Sequence, residues 1–221
     1  MSVARTSAPA RRQLAVRVGG AAWVLIALYF VAEVVTARAW PRPYRVGTNS
    51  ISNLGVTGCD GSAAARLCSP LHAVINGAFV LTGMLILVGA VCLRGFLPPG
   101  ILRRVALALF GVAAVSAALT GLVPIDVDAH LHQVVATPTF VARNAAMLVV
   151  AVGLYERWRA FALWTGLCGL VGVLGTAAIL LPGAPFGITE RLALYPFIVW
   201  VVTAGFSALR ARAWETSPET P

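Results

Sequence analysis

The most restrictive feature of the 221-residue chain is a series of six long apolar stretches separated by short polar connections. A helix needs about 20 mostly apolar residues to cross the hydrocarbon core of a bilayer. The stretches that meet this requirement are residues 18–37, 71–93, 105–123, 134–155, 161–181 and 192–209. The sequence therefore predicts an all-α, polytopic membrane protein that folds as a transmembrane six-helix bundle.

The overall composition agrees with this class and excludes several others. Apolar residues make up 59% of the chain, charged residues only 11%, and the mean hydropathy is +0.84. A soluble domain carries about a quarter charged residues, so a disordered chain and an ordinary cytosolic enzyme are both excluded. The net charge of +9 does not indicate a nucleic-acid partner, because the basic residues lie in short stretches between the apolar segments.

The distribution of the 17 arginines predicts the topology. Eleven of them lie at the N-terminus, the second and fourth connections and the C-terminus, five lie on the other side, and Arg143 lies inside a span. Positive charge marks the cytoplasmic side, and the absence of lysine is typical of a GC-rich bacterial genome. We expect a bacterial inner-membrane protein with a basic cytoplasmic N-terminus (1–17), a transmembrane domain (18–210) and a flexible cytoplasmic tail (211–221).

Two charged residues inside the predicted spans need partners. An unpaired charge near mid-membrane costs at least about 3 kcal/mol, so the sequence predicts an ion pair between Glu33 and Arg143. One interpretation makes this pair the floor of an outward-facing polar cavity, and the other makes it a structural pair that fixes helix packing. His72 and Asn76 are four residues apart and share one helix face below the same outer boundary.

The densest polar cluster precedes the fourth span, where Asp126, Asp128, His130 and His132 occupy alternate positions. Carboxylate and imidazole groups serve as general acids and bases, so these four are candidate catalytic residues. The same ligand types bind zinc or similar divalent ions, and a metal site would use His72, His130, His132 and Asp126. The simpler alternative is a solvated loop whose side chains cap the next helix.

Cys59 and Cys68 both fall in the first outward connection. A disulfide can persist outside the cytoplasm, so the two cysteines are candidates for a bridge. The alternative is a pair of free thiols.

Several short motifs resemble a known family. These motifs are Ile-Ser-Asn-Leu-Gly at 51–55, Pro70 with His72 and Asn76, Pro-Ile-Asp at 124–126, Gly-Ile-Thr-Glu-Arg at 187–191, and Trp200. Their order resembles the prokaryotic membrane family known as domain of unknown function 998 and, more distantly, the Frag1/DRAM/Sfk1 membrane proteins. The resemblance implies a six-helix bundle and an outward polar site, but no established activity. It places the family's characteristic positions at Ser52, Asn53, Gly55, Asn76, Asp126, Glu190 and Arg191.

The leading functional hypothesis is recognition of a lipid-like or amphiphilic molecule by an outward-facing polar cavity. The tail of that molecule would run between helices, and its head would meet side chains at the helix tops and outer loops. The predicted ligand-binding residues are Ser52, Asn53, His72, Asn76, Glu190 and Arg191, with Asp126 and His130 beside them.

Three other functions are compatible with the sequence. A membrane-embedded enzyme (a hydrolase, transferase or acid-catalysed cyclase) would use the Asp and His groups as acid and base. A small transporter or scramblase would use Glu33 and Arg143 as a gate, and a scaffold would support another membrane protein. Besides the lipid bilayer and an amphiphile, no partner is indicated. A divalent metal is the one cofactor considered, and the oligomeric state is open.

Overall fold

A computed structural model describes residues 8–58 and 69–215, and this part of the chain is helical without strands. The α-helices are α1 (Ala8–Leu25), α2 (Leu28–Arg38), α3 (His72–Cys92), α4 (Ile101–Leu122), α5 (Ala129–Leu154), α6 (Arg159–Ala178) and α7 (Phe186–Glu215). Two short 3-10 helices cover Ile51–Gly55 and Arg94–Phe96. Cys59 and Cys68 lie outside the described residues, so their pairing stays a prediction.

Six of the helical segments are long and apolar enough to cross a membrane, which confirms the predicted fold class. They are Ala10–Arg38, His72–Cys92, Ile101–Leu122, Ala129–Leu154, Arg159–Ala178 and Phe186–Arg210. The first segment combines α1 and α2, which join through one turn of shorter-range hydrogen bonds, such as Ala27 N–H to the carbonyl of Val24 at 3.1 Å. The protein is therefore a multi-pass membrane protein.

The helix ends differ from the predicted ends at the segments that carry the polar residues. The Asp128 side chain accepts a hydrogen bond from the backbone N–H of Leu131 at 2.8 Å and thereby caps α5, as N-terminal caps do. Because of this cap, α5 begins at Ala129 rather than at 134, and His132 lies on a helix. The helix α7 also begins earlier than predicted, at Phe186 rather than at 192, so Arg191 lies on a helix as well.

The six spans form a closed ring in chain order. Each of α3, α4, α5 and α6 packs against the next helix, and α7 closes the ring by packing against α1. Consecutive spans run in opposite directions, so the start of α1 and the end of α7 lie at one end of the bundle, called the terminal end. The described residues between α2 and α3, 39–58 and 69–71, lie at the other end, called the loop end.

A cluster of aromatic side chains lies in the core of the ring. Trp23, Phe110, Phe197 and Trp200 are at most 3% exposed. Their rings contact one another with centroid separations such as 5.5 Å for Trp23 and Trp200 and 6.0 Å for Phe110 and Trp200. Aromatic contacts of this kind hold α1, α4 and α7 together.

Close helix packing depends on glycine at α6 and α7. A Cβ atom on Gly175 would lie 2.5 Å from the backbone nitrogen of Ala193, which is too close for any side chain. Small residues allow such backbone approach in membrane bundles. By contrast, a Cβ atom on Gly111 of α4 would meet nothing within 4 Å.

We expect Gly175→Ala to destabilise the bundle, since the added methyl group must push α6 away from α7. Overpacking of this kind costs about 1–3 kcal/mol, which should appear as a lower thermal unfolding midpoint in detergent micelles. Gly111→Ala is the matched control and should leave the midpoint unchanged or raise it, because alanine is the better helix former. Equal effects of the two substitutions would contradict the packing described for α6 and α7.

Candidate functional site

The loop end is closed by a segment that we call the capping segment, residues 50–58. It contains the 3-10 helix Ile51–Gly55. Ser50 caps the start of this helix through a reciprocal capping box with Asn53. The backbone N–H of Asn53 donates to the Ser50 hydroxyl at 3.1 Å, and the Ser50 N–H donates to the Asn53 side chain at 3.0 Å. Ile51 and Leu54 are fully buried, so this segment is a fixed part of the bundle.

Side chains from the spans hold the backbone of the capping segment. A Glu190 carboxylate oxygen on α7 accepts a hydrogen bond from the Ile51 N–H at 2.6 Å. The Asn76 amide on α3 donates to the carbonyl of Gly55 at 2.9 Å. Asn76 and Glu190, both predicted to bind a ligand, are thus engaged in anchoring the protein's own loop.

Asp126 anchors the far end of the same segment. One of its carboxylate oxygens accepts hydrogen bonds from the N–H groups of Thr57 at 2.9 Å and Gly58 at 2.7 Å, and from the Thr57 hydroxyl at 2.9 Å. Burial raises the pKa of Asp126, but these hydrogen bonds outweigh it and lower the pKa below the ordinary value of 3.8. The ionised carboxylate is therefore the form that holds the segment.

Glu33 forms a buried ion pair with Arg191, and not with Arg143 as the sequence predicted. The Arg191 guanidinium donates to a Glu33 carboxylate oxygen through Nη2 at 2.8 Å and Nε at 3.0 Å. The side chains of both residues are only 7% exposed. The expected gate formed by Glu33 and Arg143 consequently loses its basis.

The remaining Arg191 donors bind the polypeptide around the ion pair. Nη1 donates to the carbonyls of Val46 at 2.9 Å and Gly187 at 2.8 Å, and Nη2 donates to the Tyr44 hydroxyl at 2.7 Å. The Tyr195 hydroxyl donates to Glu33 at 2.8 Å. Burial raises the pKa of Tyr44 to about 12, although its hydrogen bond from Arg191 opposes the shift, so the phenol stays protonated.

Arg143 is buried elsewhere and has a different environment. Its guanidinium donates to the carbonyl and the hydroxyl of Thr139, and its Cζ atom lies 5.0 Å from the centre of the Phe197 ring. Among the described residues, no carboxylate lies within ion-pair distance of it. The neighbouring Asn144 donates to the carbonyl of Ala193 at 3.2 Å and so ties α5 to α7.

The predicted Asp and His cluster is dispersed. Asp126 and Asp128 each bind backbone N–H groups, His130 is exposed, and His132 is buried. His72 has its Nδ1 atom 2.9 Å from the carbonyl of Ser69. Within the described ranges, no three His, Cys, Asp or Glu side chains gather as a metal site would require.

Two predicted residues do come together from distant parts of the sequence. The Nε2 atom of His132 lies 2.9 Å from the Ser52 hydroxyl oxygen. Neither Tyr44 nor Tyr195 was among the predicted site residues. Tyr195 has a partial signal in the sequence, since it lies one helical turn after Arg191. Nothing local marks Tyr44.

An apolar groove of about 430 Å³ runs between α6 and α7. Its walls include the exposed side chains of Leu167 and Val199, which face the membrane. Arg191 and Tyr195 also line this groove. Both belong to the buried polar cluster, which is the name we use for Glu33, Arg191, Tyr44 and Tyr195. The buried polar cluster therefore borders a surface that lipid can reach.

A family model described as "Protein of unknown function (DUF998)" matches residues 7–207. The chain belongs to this family. No curated protein and no solved structure matches it. The match confirms the resemblance of the short motifs to domain of unknown function 998 and adds no activity.

We expect Glu33→Gln to destabilise the protein by about 3–5 kcal/mol, because it leaves the buried Arg191 cation without its counter-ion. The measurement is thermal unfolding in micelles for a double-mutant cycle of Glu33→Gln with Arg191→Met. The coupling should be about 1 kcal/mol or more. The matched cycle with Arg143→Met should be additive, and strong coupling to Arg143 would contradict the observed pairing.

We also expect Asp126→Asn to destabilise the protein in a pH-dependent way. Because folding lowers the pKa of Asp126, its stabilising effect is fully present above the ordinary value of 3.8 and is lost as the pH falls below 3.8 and through the lower pKa of the folded state. The gap in unfolding midpoint between wild type and Asp126→Asn should therefore be largest near neutral pH and close at low pH. Glu156→Gln alters an exposed carboxylate at the terminal end and serves as the control. A gap that stays constant with pH would exclude this role for Asp126.

Proposed function

We propose that this protein recognises an amphiphilic, lipid-like molecule at the loop end, with both termini on the cytoplasmic side of a bacterial inner membrane. The tail of the molecule occupies the groove between α6 and α7. Its polar head lies at the loop-end mouth of that groove. The observation that carries the proposal is that Arg191 and Tyr195 line the groove while they also belong to the buried polar cluster.

The groove has the properties that a lipid tail requires. Its walls are almost entirely apolar, and it opens to the membrane, so a lipid enters laterally without leaving the bilayer. The volume of about 430 Å³ falls within the usual range of about 300–1,000 Å³ for ligand pockets. A groove of similar volume, about 440 Å³, lies between α4 and α5 and includes Val115 and Pro138, but no charged residue lines it.

The loop end also supplies a place for a polar head. Arg45 is exposed and directly precedes Val46, whose carbonyl accepts a hydrogen bond from Arg191. The neighbouring carbonyl of Gly47 accepts from the N–H of Ile188, a residue that lines the groove. This connection brings an exposed cation to the mouth of the groove, where it suits an acidic head group.

This assignment changes which predicted residues face the ligand. Asn76, Asp126 and Glu190 are engaged in holding the capping segment. Recognition of the head group is instead assigned to the residues around Arg191, in particular the exposed Arg45 at the mouth of the groove. The capping segment then acts as the rigid support that fixes this end of the groove.

The test uses proteoliposomes of phosphatidylethanolamine and phosphatidylglycerol that contain a phosphatidylglycerol with a diazirine in its acyl chain. After photolysis, peptide mass spectrometry should find crosslinks concentrated on the α6 and α7 groove. Val199→Trp fills this groove and should reduce the crosslinks several-fold, because the tail loses its site. Val115→Trp fills the α4 and α5 groove and should leave them unchanged.

Equal crosslinking of the two grooves would mean that only the general lipid layer is being sampled, and it would overturn the proposal. A loss of crosslinks in both tryptophan variants would do the same. Unfolding midpoints of the variants in micelles show whether each one is folded.

A further inference from the structure

The contact between Ser52 and His132 differs from the other contacts of the capping segment. Glu190, Asn76 and Asp126 bind the backbone of that segment. His132 instead approaches a side-chain hydroxyl, with 2.9 Å between its Nε2 atom and the Ser52 oxygen. The pair brings a potential nucleophile and a potential base within hydrogen-bond distance.

The other nitrogen of the ring fixes the tautomer of His132. Its Nδ1 atom lies 2.6 Å from the carbonyl oxygen of Val123. A carbonyl oxygen only accepts hydrogen bonds, so Nδ1 carries the proton in this contact. In the neutral imidazole Nε2 then has a free lone pair, and the Ser52 hydroxyl is the donor.

This arrangement is the one that activates a serine. A nucleophilic hydroxyl needs an adjacent base, and the base needs a third group that orients it. In this protein Ser52 corresponds to the nucleophile, His132 corresponds to the base, and the Val123 carbonyl orients the imidazole ring. His132 is 5% exposed, whereas Ser52 is only partly buried, so the base is shielded while the hydroxyl retains access.

The environment of the pair is rigid as well. Ser52 follows Ile51 and precedes Asn53 in a 3-10 helix that is capped at its start by Ser50. His132 lies in the first turns of α5, just after the Asp128 cap. Because both side chains extend from anchored backbone, their separation is set before any substrate arrives, as nucleophilic catalysis requires.

We propose that Ser52 is a nucleophile, activated by His132, that attacks the ester carbonyl of an amphiphilic substrate. The Ser52 oxygen forms a bond to the carbonyl carbon while its proton moves to Nε2 of His132. The bond from that carbon to the alcohol oxygen then breaks, and the alcohol leaves with the proton from His132. Water attacks the acyl-serine in the same way and releases the acid, which restores both residues.

The choice of an amphiphile as substrate rests on the proposed function, whereas the reactivity of Ser52 does not. The test therefore measures that reactivity directly. Full-length protein in lipid nanodiscs is incubated with an alkyl fluorophosphonate, which reacts with activated serines. The Ser52 oxygen bonds to phosphorus, fluoride leaves, and His132 takes the proton.

Peptide mass spectrometry of the wild-type protein should find the phosphonate on Ser52. Ser52→Ala should abolish the labelling. His132→Gln should slow it about 100-fold or more, because a general base contributes about 10²–10⁴-fold. Ser207→Ala is the matched control, and its Ser52 should be labelled at the wild-type rate. The exposed Ser207 donates to the carbonyl of Thr203 and has no imidazole partner, so its hydroxyl is not activated.

Absence of labelling on folded wild-type protein would overturn the proposal. Labelling of a different residue, or an unchanged rate in His132→Gln, would do so too. The absence of labelling and the labelling of a different residue are read from the wild-type peptide map, so they do not depend on whether a variant folds. The rate of His132→Gln is compared with wild type once its unfolding midpoint in micelles shows that it is folded. The photocrosslinking of the α6 and α7 groove reports lipid binding separately, so failure of one proposal is distinguishable from failure of the other.

Discussion

The buried ion pair between Glu33 and Arg191 is the interaction on which the loop end of this protein depends. A charged group in the low-dielectric interior of a membrane bundle is costly unless a counter-ion or hydrogen bonds compensate it. Arg191 meets this requirement by donating to Glu33, to Tyr44 and to carbonyls of the loop after α2. A single side chain of α7 thus connects the first span, its own helix and the connecting loop.

The capping segment extends this connection to the rest of the ring. Its backbone is held by Asn76 on α3, Glu190 on α7 and Asp126 before α5. Polar residues that look like a ligand site in the sequence therefore satisfy the protein's own backbone groups, which would be costly to leave unpaired in a membrane bundle. Two features do not serve to hold the backbone, and the two proposals rest on them. They are the pair of Ser52 and His132 and the groove that reaches Arg191.

The fold was largely predictable, and the site was predictable only in part. Six spans follow from apolar length alone, because the bilayer sets that length. Their ends were misplaced at α5 and α7 because the helices extend through polar residues such as His132 and Arg191. The wrong partner for Glu33 has a related cause. The sequence places Arg191 in the connection before the sixth span, whereas α7 extends through it, and only the order of helices around the ring places α7 beside the first span.

The sequence by itself determined the class of protein, the number of spans and the residues with unusual chemistry, since each of these depends on composition and on spacing along the chain. The family follows from the sequence as well. Only the tertiary structure decided which of those residues meet. Ser52 and His132 are 80 positions apart, and Glu33 and Arg191 are 158 apart. Their contacts depend on how the helices pack around the ring, which neither local periodicity nor spacing encodes.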